Sequence, residues 1–200
     1  MELPGIPPLR WLDQPGDATI EPGLAGPTLT LAAGPNTDWF HDPCGPTRVR
    51  SAPVLAFRPD ADVVVSATVR PELVATFDAG VLFVWAGPDD YAKLCLERSP
   101  AGRDLVVSVV TGGTSDDANG PDVTGETVRL RVALIGGAIA FHHSIDGTTW
   151  HLTRLFRLRN QAGPPSIGFA AQSPTGDGCV CRFDDLRAEA RTLTELRDGS

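Results

Sequence analysis

The segment Tyr91–Arg98 carries the residues of this sequence that are best placed to do chemistry. Successive side chains of a β-strand point to opposite faces of the sheet. Leu94 and Leu96 therefore share one face, which predicts contact with a hydrophobic core. Lys93 and Glu97 share the other face. An ammonium and a carboxylate in this arrangement can pair with each other or bind one polar ligand together.

Aromatic side chains supply a second element of ligand chemistry, because flat rings pack against the apolar faces of sugars. The large aromatic residues available for this role are Trp39, Trp85, Tyr91 and Trp150. Trp150 follows the tight turn Asp146-Gly147 and is predicted to lie in the core, where large aromatics usually pack. Trp39 follows Thr37-Asp38 in a loop, where both an exposed and a buried ring are compatible with the sequence.

The acidic residues do not form the pattern typical of a sandwich-fold glycosidase. Glycoside hydrolysis needs two carboxyl groups that face one bond, about 5.5 Å apart in retaining enzymes and further apart in inverting ones. Sandwich glucanases usually carry these groups on one strand as Glu-x-Asp-x-x-Glu, and this sequence contains no such run. Glu97 would need Asp116 from a loop, or a histidine, as its partner. The sequence therefore favours binding, with a glycoside-active enzyme as the alternative.

Histidine offers a proton-transfer group near neutral pH. His142 and His143 are neighbours on one predicted strand, so their side chains point to opposite faces and only one can face a groove. We take His142 as the candidate. The sequence has no phosphate-binding glycine loop, metalloprotease motif or nucleophile elbow, and no cofactor is predicted.

The cysteines are predicted to be free thiols. The N-terminal segment Met1–Pro8 has neither the basic region nor the apolar core of a signal peptide, which indicates a cytoplasmic protein in a reducing compartment. Cys179 and Cys181 would lie on one face of a strand, where two thiolates can ligate zinc. The simpler interpretation is that they are small buried side chains, and no metal is predicted.

Size and charge limit the kinds of partner. The chain has 200 residues and a net charge of −8, and an acidic surface repels both nucleic acid and anionic lipid. No segment reaches the about 20 apolar residues of a membrane span. A chain of this length buries about 70% of the surface it exposes when unfolded. We therefore expect one domain, with a core at residues 11–187 and a tail at 188–200.

The elements that must position the candidate residues are predicted to be short β-strands. Segments rich in β-branched and aromatic residues recur between turns, which is typical of a β-sandwich. The predicted strands are 29–33, 62–70, 80–86, 91–98, 104–111, 126–134, 138–144, 150–158, 166–172 and 179–187. Leu186–Arg197 is the one helix candidate, and a frayed terminus fits its composition equally well.

Eight short motifs occur in an order and spacing that resemble a known family. The matching segments are Thr37–Phe40, Phe77–Leu82, Tyr91–Glu97, Ser108–Asp116, Ser144–Trp150, Arg154, Ile167–Pro174 and Phe183–Leu186. Together they resemble the domain of unknown function 1349, also called the "regulation of enolase protein 1" family, in the concanavalin A-like lectin/glucanase superfamily. The resemblance covers roughly Trp11–Leu186.

The resemblance implies an all-β fold, a concanavalin A-like jelly-roll sandwich of two curved antiparallel sheets. It also implies a concave groove, where relatives in the wider superfamily hold sugar chains, but it implies no known reaction. The expected function is non-catalytic binding of a carbohydrate or similar polyhydroxylated ligand. The alternatives are the enzyme named above and a protein-interaction module that regulates metabolism.

The candidate ligand-binding residues follow from the alternation of side chains together with the resemblance. They are Lys93, Glu97, Thr111, Asp116, Arg154, Trp39 and His142. The first five form the polar set expected in the concave sheet. An internal salt-bridge network, with Lys93 paired to Glu97 or Arg154 paired to Asp116, is the competing interpretation, because buried charges must be paired.

Three positions depart from the family pattern. The family usually has an aromatic residue where this chain has Asp117, and a glycine where it has Cys95. It also often has an additional polar residue that Asp78-Ala79 lacks. Because two of these positions are expected near the groove, the ligand is expected to differ from that of closer relatives.

Overall fold

The chain folds into two large antiparallel sheets in a computed structural model that describes residues 1–23, 26–160 and 163–200. The first sheet has the order β1 (Arg10–Trp11), β6 (Val54–Phe57), β15 (Ser166–Gln172), β8 (Ala79–Gly87), β9 (Asp90–Arg98), β10 (Asp104–Gly112), β11 (Ser115–Asp122). The second has the order β14 (His151–Phe156), β13 (Ala138–Ser144), β12 (Val128–Ile135), β7 (Val63–Pro71), β16 (Cys179–Glu189), β3 (Gly26–Ala33), β2 (Asp17–Gly23). This architecture is an all-β jelly-roll sandwich, and the predicted fold class is confirmed.

The main core lies between the two sheets, and the alternation of side chains explains its membership. Leu94 and Leu96 of β9 are 0% and 1% exposed and belong to this core. Leu130 and Val132 of β12 face them from the second sheet and are also fully buried. Removing each such side chain from water contributes about 1.5–3 kcal/mol, which fixes the face that β9 turns outward.

A second hydrophobic cluster covers part of the outer face of the first sheet, the face turned away from the second sheet. It forms because a hairpin of β4 (Trp39–His41) and β5 (Arg48–Arg50) lies over that face. The Trp39 ring packs edge-on against Phe83 and Tyr91, with ring centroids 5.2 Å apart in both pairs. The hairpin therefore covers part of the outer face with Trp39.

The helix candidate at the C-terminal end is wrong. Residues up to Glu189 extend β16, where Arg187 and Glu189 pair with Ser66 and Val64 of β7 after a bulge. Leu193 then packs on the outer face of the second sheet and is 6% exposed. Ladder hydrogen bonds and this burial outweigh the helical propensity of the segment. Among the described residues there is no helix long and apolar enough to cross a membrane.

Candidate functional site

A pocket of about 130 Å³ opens on the outer face of the first sheet, beside the β4–β5 hairpin. We call it the outer-face pocket. Its lining residues are Asp38, Phe40, Phe77, Glu97, Val107, Val109, Asp117 and Gln172. Three carboxyl groups, one amide and two aromatic rings thus surround a short apolar floor, which is a composition suited to orienting a polar ligand.

The register of the sheet brings the polar side chains of the pocket together. Glu97 pairs with Ala79 of β8, and Ala79 pairs with Gln172 of β15, so these three residues form one row across the sheet. Asp117 pairs with Val109, which pairs with Lys93. Neighbouring strands lie about 4.8 Å apart, so the two rows present their polar groups within one small area.

Lys93 does not line the pocket itself, but it bonds two of the lining residues and anchors a buried polar network. Its Nζ donates to Oδ1 of Asp38 at 2.8 Å and to Oε1 of Gln172 at 3.0 Å. The side chain is 3% exposed. Burial alone would lower the pKa of Lys93, but the carboxylate of Asp38, with weaker contributions from Cys95 and Glu97, raises it above its ordinary value. Lys93 is therefore a permanent internal cation.

Asp38 is held by the segment that enters β4. Its Oδ1 also accepts a hydrogen bond from the backbone N–H of Trp39 at 2.7 Å. Thr37 forms two backbone hydrogen bonds with Ser173, at 3.1 and 3.2 Å, at the end of β15. The segment before the hairpin is thus hydrogen-bonded to the end of the strand that contains Gln172. Lys93 links the same two segments, because it bonds both Asp38 and Gln172.

Phe77 presents an aromatic ring at the pocket in a constrained backbone conformation. Its φ is +68° and the residue is 38% exposed. Its N–H donates to the carbonyl of Arg98 at 2.7 Å, and its carbonyl accepts from Nε2 of Gln172 at 3.2 Å. A left-handed φ costs an L-residue roughly 1–2 kcal/mol. The buried network therefore holds an exposed ring where the backbone alone would not place it.

Glu97 faces the pocket with no hydrogen bond or ion pair to any described residue. Burial raises the pKa of Glu97 to about 8, and the negative charges of Asp38 and Asp117 act in the same direction, while Lys93 opposes them. Burial also raises the pKa of Asp117, at the pocket rim. At neutral pH the Glu97 carboxyl thus keeps its proton and can both donate and accept hydrogen bonds.

The predicted pairing of Lys93 with Glu97 does not form, since Lys93 pairs with Asp38. The predicted pairing of Arg154 with Asp116 does form, with Nη2 3.0 Å from Oδ1. Asp116 lies in β11 and not in a loop. It pairs with Val110, whose side chain packs toward the main core, so the next residue along the strand, Asp117, is the one that lines the pocket.

Two further candidates share the outer face but lie outside the pocket lining. Thr111 is fully buried and its Oγ1 lies 2.8 Å from Oγ of Ser115. Trp39 is 4% exposed, and its Nε1 donates to the carbonyl of Ala52 at 2.7 Å. The sequence left the exposure of Trp39 open; the structure buries it as the support of the hairpin and turns its neighbour Phe40 to the pocket.

His142 lies in the second sheet and does not share the outer-face pocket with the other candidates. It belongs to β13, and its Nε2 lies 2.7 Å from the carbonyl oxygen of Leu196 in the C-terminal segment. Burial lowers the pKa of His142 to about 4. Trp150 also differs from its prediction, since it is half-buried, with the guanidinium of Arg131 4.2 Å from its ring centroid.

None of the four cysteines is joined in a disulfide in the structure. Cys95 lies between Lys93 and Glu97 on the outer face and is fully buried. Cys179 and Cys181 are buried as well. Within the described residues, no group of three or more histidine, cysteine or acidic side chains is arranged to hold a metal ion.

A larger groove of about 330 Å³ lies at one edge of the sandwich, but its charges are mutually satisfied. Arg98 is paired with Asp104 at 2.5 Å, and Arg182 is paired with Glu72 at 2.9 Å. The smaller outer-face pocket differs because two of its acids have no cation bonded to them among the residues that the structure describes. For this reason we take the smaller pocket as the candidate site.

Sequence reasoning named Glu97 among the eight lining residues and missed the five others that carry a polar or aromatic group. They are Asp38, Phe40, Phe77, Asp117 and Gln172. Four of these lie inside the motifs that carry the family resemblance, and Asp117 is one of the positions that depart from the family pattern. Their position within these motifs was the feature that could have identified them. The two phenylalanines were missed because only tryptophan and tyrosine were considered as ligand-binding rings.

Comparison with solved structures confirms the jelly-roll fold. A functionally unknown protein from Saccharomyces cerevisiae superposes with a TM-score of 0.80 and 21% identity, over 93% of this chain and 98% of that one. The GH43 protein BlXynB from Bacillus licheniformis gives a TM-score of 0.66 and 15% identity, over 82% of this chain and 33% of its own. The alginate lyase from Klebsiella pneumoniae gives 0.56 and 12%, over 86% and 84%. At these identities the likeness shows the fold alone.

The family comparison is more specific. No curated protein matches the chain. A family model described as "Protein of unknown function (DUF1349)" matches residues 11–191, which include every residue of the outer-face pocket. The resemblance seen in the sequence is thereby confirmed, and the chain belongs to the DUF1349 family of jelly-roll proteins.

Proposed function

We propose that the protein is a binding module that holds one terminal unit of a carbohydrate, or a similar polyhydroxylated ligand, in the outer-face pocket. The observation that carries this proposal is the combination of an exposed, constrained Phe77 ring with an unpartnered Glu97 carboxyl in one pocket. Rings of this kind pack on the apolar face of a sugar, and carboxyl groups hydrogen-bond its hydroxyls.

The network beneath the pocket supports binding because it holds the polar groups in fixed positions before a ligand arrives. Gln172 is 2% exposed and bonds both Lys93 and the Phe77 carbonyl. A preorganised site loses less conformational entropy when it binds. The ring of Phe77 and the amide of Gln172 therefore act as one rigid wall.

Pocket size limits the ligand. Clefts that hold drug-sized ligands are about 300–1,000 Å³, whereas this pocket is about 130 Å³. It accommodates one small ring, while the rest of a longer glycan would extend past Asp117 and Phe40 at the exposed side. We therefore expect recognition of chain ends and not of chain interiors.

The test is a glycan array probed with the wild-type protein and two pocket variants, Phe77→Ala and Glu97→Gln. We expect the bound glycans to share one terminal unit, and we expect each variant to lose about tenfold or more in affinity, which corresponds to the loss of one good contact. Glu72→Gln is the control, because Glu72 is exposed and pairs with Arg182 outside the pocket. Absence of binding to any glycan, or equal binding by all four proteins, would contradict the proposal.

A second candidate function is acid–base catalysis on a glycosidic bond. Glu97 keeps its proton at neutral pH and shares the pocket with Asp117, and a pair of carboxyl groups that face one bond supplies the acid and the base of such enzymes. Turnover of an aryl glycoside that disappears in Glu97→Gln and in Asp117→Asn, but persists in Glu72→Gln, would establish this candidate. Lack of turnover by the wild-type protein leaves binding alone.

A further inference from the structure

The outer-face pocket contains more acid than its own cation can neutralise. It holds the carboxyl groups of Asp38, Glu97 and Asp117. Lys93, the cation at its base, is already bonded to Asp38 at 2.8 Å. Neither Glu97 nor Asp117 has a hydrogen bond or ion pair from its side chain to any described residue. The guanidinium of Arg154 is close enough to act on Asp117, but it is bonded to Asp116.

The enclosed position of Glu97 makes this imbalance significant. Glu97 is half-buried on the sheet between its strand partners Leu105 and Ala79, and it lines the pocket. A buried acid without a donor or a cation is costly to ionise, and such a group is normally compensated by a bonded partner. The described chain supplies none, so the carboxyl group of the free pocket can ionise favourably only when a ligand brings a positive group to it.

The aromatic rings in the pocket also favour a positively charged ligand. Phe40 and Phe77 both contribute to the lining, and the negative face of a phenyl ring attracts an ammonium group. A metal ion is a poorer match, because no three acidic, histidine or cysteine side chains within the described residues are arranged to coordinate one. An organic ammonium needs only one or two carboxylates and tolerates aromatic neighbours.

We propose that the outer-face pocket selects ligands that carry a protonated amine, an amino sugar in particular, over their neutral counterparts. This inference rests on the proposed function and narrows its ligand class. The ammonium contacts the carboxylates of Glu97 and Asp117, and the ring of the sugar packs on Phe77. The polar network of Lys93, Asp38 and Gln172 orients the hydroxyl groups.

Binding of a cation changes the protonation of Glu97. Lys93, Asp38, Asp117 and Cys95 are the titratable groups that act on this carboxyl or lie beside it. Below about pH 8 the free pocket holds Glu97 as the neutral acid. When an ammonium group enters, the carboxyl group loses its proton to solvent and forms an ion pair, so one proton is released for each ligand bound. A neutral sugar releases none.

The experiment compares matched ligands by calorimetry at about pH 6.5, where both Glu97 and an amine of pKa about 8 are protonated. The probes are glucosamine, N-acetylglucosamine and glucose, together with galactosamine, N-acetylgalactosamine and galactose. Each titration is run in two buffers of different ionisation enthalpy, which reports proton release. We expect at least one amino sugar to bind about tenfold more tightly than its neutral counterparts, with release of close to one proton.

Variants assign the effect to the pocket. In Glu97→Gln we expect the preference to fall to within about threefold and proton release to vanish, since the group that loses the proton is absent. Asp122→Asn is the control, because Asp122 lies at the end of β11, is exposed and pairs with Arg103. This variant should retain both the preference for amino sugars and the release of a proton. Since neither variant removes a buried partner, both are expected to fold.

The outcomes separate this inference from the proposed function. Equal affinity for amino and neutral sugars, or tighter binding of the neutral ones, overturns the inference and leaves the proposed function standing. Failure of every sugar in the set to bind, while the glycan array also shows no binding, overturns both. A preference that survives in Glu97→Gln overturns the assignment to this pocket.

Discussion

The Nζ atom of Lys93 lies 2.8 Å from Oδ1 of Asp38, and not against Glu97, which shares its strand face. This choice of partner divides the acids of the outer-face pocket into two kinds. Asp38 compensates a buried cation and has a structural role. Glu97 compensates nothing and is available to a ligand.

Removing Asp38 should destabilise the protein strongly. In Asp38→Ala, Lys93 stays buried with Gln172 as its one remaining bonded partner, and stranding a buried charge costs about 3–5 kcal/mol. Removing the charge as well, in Asp38→Ala/Lys93→Met, should recover part of that loss. Urea denaturation measures both variants. The control is Asp122→Ala, which removes an exposed ion pair and should change stability by less than about 1 kcal/mol. If Asp38→Ala loses no more stability than this control, the buried pair of Lys93 and Asp38 is refuted.

The stability of Glu97→Gln relative to wild type should depend on pH. Because the folded pKa of Glu97 is raised from 4.5 to about 8, the folded state holds a proton that the unfolded state has released across this range. Wild-type stability therefore falls as pH rises from about 4.5 to about 8. A pKa shift of one unit corresponds to about 1.4 kcal/mol of stability. Solvent at the pocket mouth makes the contribution of Glu97 smaller than this full value.

We therefore expect Glu97→Gln to gain roughly 1–3 kcal/mol over wild type between about pH 5 and about pH 9. Denaturant titrations at both pH values measure the difference. Glu72→Gln, at an exposed acid, should show a much smaller change. A gain of the opposite sign would mean that Glu97 is ionised and paired in the folded protein.

Phe77 should be replaceable by glycine with little loss of stability. Glycine adopts the φ of +68° without the penalty of roughly 1–2 kcal/mol that an L-residue incurs. Phe77→Gly should therefore be about 1 kcal/mol more stable than Phe77→Ala, which keeps the strain. Both should lose ligand binding. Thermal unfolding measures both variants. If Phe77→Ala is more stable than Phe77→Gly, residue 77 does not adopt the left-handed conformation.

Thiol reactivity should report both the redox state and the burial of the cysteines. Cys44 is exposed, whereas Cys95, Cys179 and Cys181 are buried. Burial raises the pKa of Cys179 to about 12 and raises those of Cys95 and Cys181 as well. A thiol reagent should therefore modify one cysteine in the folded protein. All four should react after unfolding without reductant, and a smaller number would reveal a disulfide.

The strands of the sandwich were largely predictable because their hydrophobic alternation is strong. Tyr91–Arg98, for example, was predicted as a strand with Leu94 and Leu96 inward, and β9 runs from Asp90 to Arg98 with that orientation. β11 was missed, since Ser115–Asp122 is polar and contains glycine and proline. Its strand conformation depends on pairing with β10 at the sheet edge, which no local pattern encodes.

The site was only partly predictable for a similar reason. Lys93 and Glu97 were placed on the correct face, because alternation within one strand decides that. The choice between Asp116 and Asp117 depends on where β11 pairs with β10, and a one-residue difference moves a side chain to the other face. The location of His142 was not predictable, because alternation within a strand does not show which of the two sheets contains that strand.

The most direct test of the account is where a bound sugar lies. Backbone amide shifts of the isotopically labelled protein should be followed by NMR while the best glycan from the array is titrated. We expect the largest shifts at Phe40, Phe77, Glu97, Asp117 and Gln172, with little change at His142 on the second sheet. Shifts centred on the groove near Arg98 and Arg182, or on the second sheet, would contradict the assignment of the outer-face pocket as the binding site.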